Sequence, residues 1–317
     1  MVSNILFEQF YTYIIFMIIG YLATKTKIIT LDNGVFLSHF VLYITFPLLI
    51  FTTVTHMQFD FNVIKNSIFV FLFSYISLFL LFAVGKLTSR WLCLQEASEK
   101  IHILHSMFGN IVFIGFPFIS SLMPGSHALL YAAVFQVAAD SVLWTLGIYL
   151  IANKKNNNFK ENLKHLVNVN SVVFFVSLIM LGFGLKLPET FNKPFSMLGH
   201  TTLSLSLVFV GHILSTIKID AMVKKASLYA LSFNKLILVP FIMLGIIYVL
   251  KPYLPFLQKD AVAALVLQVG MPAMATIVIL ARKYDADHYL ATENMFVTTI
   301  FSIFTLPLLW GVINYFF

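Results

Sequence analysis

The sequence predicts an all-α polytopic membrane protein of ten transmembrane helices, and three observations predict it. Of 317 residues, 60% are hydrophobic and only 10% are charged, against roughly 25% charged in an ordinary soluble domain. The apolar residues fall into runs of about 20, the length that crosses a hydrocarbon core. The cations cluster in short gaps between those runs, as juxtamembrane cations do.

Ten segments qualify: 4–23, 34–54, 66–85, 103–123, 128–152, 167–185, 196–216, 228–250, 261–281 and 290–315. The first run, Ile5 to Ala23, has no basic residue before it and none until Lys25. It therefore lacks the charged start of a cleavable signal peptide and reads as the first membrane helix. The fourth and ninth segments are the least regular, because they contain Gly, Pro and, in the fourth, Asn.

The pI of 9.3 reports topology rather than a nucleic-acid partner. Lys25 and Lys27; Lys86, Arg90 and Lys100; Lys154, Lys155, Lys160 and Lys164; Lys218, Lys224 and Lys225; and Arg282 and Lys283 all fall in one set of alternate loops. The other set holds only Lys65, Lys186, Lys193, Lys251 and Lys259. Cations are retained on the negative, cytoplasmic side. Both termini are therefore expected outside a bacterial inner membrane, with the 153–165 loop in the cytoplasm. Cys93 is the only cysteine, so neither an intramolecular disulfide nor a thiolate metal cluster can form. No cofactor is implied.

The 153–165 loop, rich in Asn and Lys, lies at the middle of the chain and reads as a linker between a first repeat, 1–152, and a second, 166–317. A shift of 161 residues places Lys25 on Lys186, Leu37-Ser-His39 on Leu198-Gly-His200, Gly109 on Gly270 and His127 on His288 without a gap. Five helices per half, an odd number, give the two copies opposite orientations in the membrane. That is an inverted-repeat design, in which substrate sites lie near the midplane at broken helices.

The corresponding runs in the fourth and ninth segments are Gly109-Asn110 through Gly115-Phe116-Pro117 and Gln268-Val-Gly270-Met271-Pro272. Proline deletes a backbone donor and glycine tolerates unwound conformations, so either run can break its helix. Pro117 or Pro272 alone would read as an ordinary kink; together, in matched helices, they favour crossed, broken helices. Freed backbone groups cannot face lipid, and half-helix N-termini attract anions. Gly109, Asn110, Pro117, Gly270, Met271 and Pro272 are therefore the candidate substrate-binding residues, with Asn110 donating its amide to a carboxylate.

Four further residues are candidates for coupling or for flanking the site. Gln136 and Asp140 lie one helical turn apart, and a carboxylate at that depth is either a proton or sodium ligand or one half of a structural hydrogen bond. Glu293 and Asn294 open the tenth segment and either flank the site or cap an interface. Lys235, near the start of the eighth segment, reads as a cation snorkelling to the membrane surface. His39 and His200 read as packing partners. His102 and His105 share a face, a spacing that suits a metal, but no third ligand is near.

The runs at the two breaks, together with Ala273-Met-Ala-Thr-Ile-Val-Ile-Leu-Ala-Arg-Lys-Tyr284-Asp-Ala-Asp287 and the closing Thr-Leu-Pro307-Leu-Leu, resemble the auxin efflux carrier family. This family includes the plant PIN carriers and bacterial malate or malonate permeases. The resemblance spans essentially the whole chain. It implies ten helices in two inverted five-helix repeats, related to the bile acid/sodium symporter fold, with helices four and nine crossing at the substrate site. It also implies a small organic anion as substrate, possible proton or sodium coupling, a homodimer, and Asn110, Pro117 and Pro272 lining the site. Plant members use a helix-nine asparagine, and none stands near Gly270-Met271-Pro272; this departure speaks against auxin. The rival expectations are a membrane sensor without transport and an intramembrane lipid enzyme. The enzyme would need clustered acidic residues, and Asp140 stands alone in mid-membrane.

Overall fold

The computed structural model describes residues 2–58, 60–152, 164–216 and 225–317. Most of the expected linker, 153–163, and Lys218 and Lys224 lie outside the described residues. Every described regular element is helical, and the β-type pairing is one isolated antiparallel bridge, Gly109 with Ala273.

In chain order the α-helices are α1 (Val2–Lys25), α2 (Leu31–Phe40), α3 (Phe46–His56), α4 (Phe61–Trp91), α5 (Glu96–Met107) and α6 (Phe116–Leu122). Then come α7 (Ala128–Val142), α8 (Ile148–Ile151), α9 (Val169–Gly182), α10 (Glu189–His200) and α11 (Thr202–Ser215). The chain closes with α12 (Ala226–Phe233), α13 (Val239–Leu250), α14 (Lys259–Val269), α15 (Ala275–Lys283) and α16 (His288–Phe316). Among the described residues six continuous helical stretches are long and apolar enough to cross a membrane: Asp32–His56, Phe61–Trp91, Ala128–Ile151, Glu189–Ser215, Ala226–Tyr253 and His288–Phe316. Four of the ten expected segments are not in that group: the first and sixth give only the shorter apolar helices Tyr11–Lys25 and Val169–Gly182, and the fourth and ninth are interrupted, with α5 stopping at Met107 and α14 at Val269.

Side-chain placement is inverted relative to a water-soluble protein. Along α4, Ile68, Leu72, Ile76 and Phe79 are exposed, while Asn66, Ser74 and Ser77 are fully buried. The buried hydroxyls return to the backbone of their own helix, Ser74 to the Val70 carbonyl at 2.6 Å and Ser77 to the Ser74 carbonyl at 2.8 Å. Asn66 donates to the Phe256 carbonyl and accepts from the Gln258 amide at 2.9 and 3.0 Å. An apolar outside with self-satisfied polar groups inside suits a lipid solvent.

Three helical stretches contain a widened π-type turn placed identically with respect to a proline. Val41–Thr45 precedes Pro47, Ile111–Gly115 precedes Pro117, and Asn234–Leu238 precedes Pro240, with one residue between turn and proline in each case. A proline ring clashes with the carbonyl four residues earlier and offers no N–H to it. The wide turn moves that carbonyl aside, so the helix continues past the proline. Pro117 therefore does not break its helix. It sits in the first turn of α6, and the break lies upstream at Phe108–Asn110, where the expected run contained both.

The chain forms two compact units, each drawing on both sequence halves: residues 1–64, 112–133 and 167–217, and residues 65–111, 134–166 and 218–317. In the first unit α1 packs along α11 at glycine distance. A Cβ at Gly20 would stand 2.0 Å from the Val208 carbonyl oxygen, and one at Gly211 would stand 2.0 Å from that of Met17. Close backbone approach of this kind substitutes for apolar burial, which gives no net drive in lipid. Replacing Gly20 or Gly211 with Ala forces the helices apart, at a cost of about 1–3 kcal/mol by overpacking. Thermal unfolding of the purified protein in detergent should show a lower midpoint for each variant, while Gly245→Ala, which meets no neighbour within 4 Å, leaves it unchanged.

Candidate functional site

In the second unit the two interrupted helices meet. Past Met107 the backbone turns extended at Phe108, and past Val269 it leaves the helix at Gly270. The two extended pieces pair antiparallel: the Asn110 amide donates to the Pro272 carbonyl at 2.6 Å, and the Met274 amide donates to the Phe108 carbonyl at 3.1 Å. Side chains satisfy other freed groups. Thr298 Oγ1, on α16, accepts from the Ala273 amide at 2.9 Å, and His105 Nε2 lies 3.2 Å from the Met274 carbonyl, to which it donates. The Lys235 ammonium donates to the Ser106 carbonyl at 3.0 Å.

Glycine is required at the crossing for approach, not for conformational freedom. A Cβ on Gly109 would lie 2.9 Å from the Met271 Cβ and 3.2 Å from its carbonyl oxygen. Met271 is fully buried against this point. Gly270 leaves room for Leu309, whose Cδ2 would stand 3.0 Å from an added Cβ.

The crossing thus brings together Gly109, Asn110, Gly270, Met271 and Pro272. Pro117 falls in the first unit, where it lines a cavity of about 520 Å³ with His56, Asn192 and His200. That cavity has hydroxyls and rings but no Asp, Glu, Lys or Arg in its lining. His56 donates from Nδ1 to the Thr52 carbonyl and accepts at Nε2 from Asn192, both at 2.9 Å.

Gln136 and Asp140 share a face as their spacing requires, with Gln136 Nε2 donating to Asp140 Oδ1 at 2.6 Å. Both are half-buried. Glu293 is held by Lys225, at 2.6 and 2.7 Å from its two carboxylate oxygens. It stands inside α16, which begins at His288 and whose first turn is capped by Asp287, which accepts from the Leu290 amide. Asn294 is fully buried, and neither its amide nitrogen nor its oxygen has a partner among the described residues.

Sequence reasoning missed three contributors. Gln268, two residues before Gly270, is buried with neither amide atom partnered among the described residues, and its polarity inside an apolar run was the available signal. Thr298 was hidden among the ordinary polar residues of a long helix. Lys235 does not snorkel: its exposure is 0%, and among the described residues no other Asp, Glu, Lys or Arg side chain is so buried. The wide turn Asn234–Leu238 accompanies this inward placement, and Asn234 is buried beside it, donating to Thr88 at 3.2 Å.

The two helix breaks are thus held against each other by their own main chains. The family model described as membrane transport protein matches the chain over residues 5–171 and 156–310. The chain belongs to that family. It is a multi-pass membrane transporter of the auxin efflux carrier group, and not an enzyme. A protein of Methanocaldococcus jannaschii named as an uncharacterized transporter is 24% identical to it over 319 residues, which cover 94% of this chain and 95% of that one.

The transporter's crossing yields a direct prediction. Thr298→Val keeps volume but strands the buried Ala273 amide, at a cost of about 1–3 kcal/mol. Hydrogen exchange at Ala273 should speed up in the valine variant and stay slow in Thr298→Ser; equal protection in all three proteins would remove Thr298 from the crossing.

Proposed function

We propose that this transporter carries small organic anions, mono- or dicarboxylates of the malate or malonate class, by an elevator-type alternating access. The observation that carries the reading is the paired break at Phe108–Asn110 and Gly270–Met274. An α-helix starts past it at Ala275. Its first amides bear a partial positive charge that favours a carboxylate. Around the same breaks stand three buried amide side chains, Asn110, Gln268 and Asn294. Those of Gln268 and Asn294 have no partner among the described residues, and a buried unpaired amide is costly unless something else pairs with it.

The absence of a helix-nine asparagine at the break, with Gln268 two residues before Gly270, favours a small carboxylate over auxin. In this reading ten helices cross a bacterial inner membrane as two inverted repeats, 1–152 and 166–317, joined by a cytoplasmic linker at 153–165, with both termini outside. The second compact unit is the moving carrier and the first the scaffold, through which two copies dimerise. Gln136 and Asp140 form the candidate coupling site for a proton or sodium ion. Glu293, already paired with Lys225, flanks the site rather than binding the substrate.

The test is flux in proteoliposomes with labelled malonate, malate, lactate and indole-acetate, under separately imposed pH, sodium and voltage gradients. A dicarboxylate should move and indole-acetate should not; no flux of any anion by folded protein would sink the reading. Asn110→Ala removes one hydrogen bond to a charged ligand, about 1.5–3 kcal/mol, and so should weaken anion binding by roughly 10- to 100-fold. Because the main-chain bond of Asn110 survives, the variant should still fold, and its binding is compared with that of folded wild type. Asp140→Asn should abolish acceleration by the coupling gradient while leaving binding intact.

A further inference from the structure

The Lys235 side chain occupies a place with a specific electrostatic character. In a continuing helix the Ser106 carbonyl would accept from the Asn110 amide; here that amide turns to Pro272 instead. The carbonyl is left at the C-terminal end of α5, where a helix carries about half a negative charge. Lys235 Nζ reaches it at 3.0 Å from another helical stretch. No carboxylate is bonded to Lys235 among the described residues. The buried ring of His105 on α5 is near enough to feel its charge, and the buried His102, one turn earlier, is bonded to Thr88 at 3.0 Å.

Half-helix C-termini and unwound carbonyls at crossings of this kind are where transporters coordinate coupling cations. We propose that the Lys235 ammonium is a tethered cation that takes the place of a bound metal ion at the end of α5, so that this break needs no sodium. The widened turn Asn234–Leu238 aims the side chain inward. A mobile cation would leave and return in each cycle, whereas a covalent one keeps the half-helix neutralised in every conformation. The inference concerns how the crossing is held and does not depend on which anion is carried.

The experiment measures the thermal midpoint of the purified full-length protein in sodium chloride and in choline chloride at equal ionic strength. The wild-type midpoint should be the same in both, or differ only by a response that Asp140→Asn removes. Lys235→Ala should lower the midpoint by about 5 °C or more, and sodium or propylammonium, but not choline, should restore part of it. Lys235→Gln, which keeps neutral donors but no charge, should fall similarly, and Lys235→Arg should remain stable and indifferent to sodium. If the alanine protein does not fold, the glutamine and arginine variants carry the comparison. A sodium-specific rise in wild type that persists in Asp140→Asn overturns the proposal. So does a glutamine variant as stable as wild type, or an alanine variant that no small cation restores.

Discussion

The structure depends on one constraint: a backbone that leaves the helix where water is scarce must find partners for its polar groups. At residues 108–110 and 271–274 the partners are largely each other. Two main-chain hydrogen bonds join the breaks, and side chains from α5, α16 and the wide turn at 234–238 satisfy three more groups. Neither break is tenable alone, because each would expose amides and carbonyls that only the other supplies partners for. The glycine at 109 and the buried Met271 follow from that mutual dependence, since the two chains must come within about one methylene of each other.

The prolines have a second role that is distinct from breaking. Pro47, Pro117 and Pro240 each follow a widened turn and sit inside helices that continue. Their effect is to rotate the register of the helix upstream. At 234–238 that rotation accompanies a buried lysine and a buried asparagine, where a regular helix near a membrane surface would show cations to the headgroups. Proline therefore alters which residues face inward without ending the helix.

Much of this was legible from the sequence. The apolar runs located the helical stretches, and Gly, Asn and Pro marked the two irregular ones. The pairing of Gly109-Asn110 with Gly270-Met271-Pro272 was accessible because matched positions in the two halves carry matched glycines. What could not be read was direction. Pro117 stands seven residues from Asn110 in one run, but a run does not show where the chain leaves the helix, and Pro117 follows a widened turn inside a helix that continues. Lys235 was misread for the same reason: its distance from the end of an apolar segment suggests an exposed cation, and the helical register that buries it is altered by a turn with no sequence signature beyond a proline five residues later. Gln268 and Asn294 were visible as polar letters in apolar helices. Their lack of partners among the described residues is a property of packing alone.

The crossing is held largely by main-chain groups, and this separates two properties that most binding sites confound. Where side chains build the frame, a change of ligand preference risks the frame itself. Here the bridge uses the backbone amide of Asn110 and the carbonyl of Pro272, groups that most changes of side chain leave in place. The amides of Gln268 and Asn294 carry none of the bridging bonds. A substitution at Gln268 or Asn294 leaves the bridging bonds intact, so the frame and the polar groups around it can change separately.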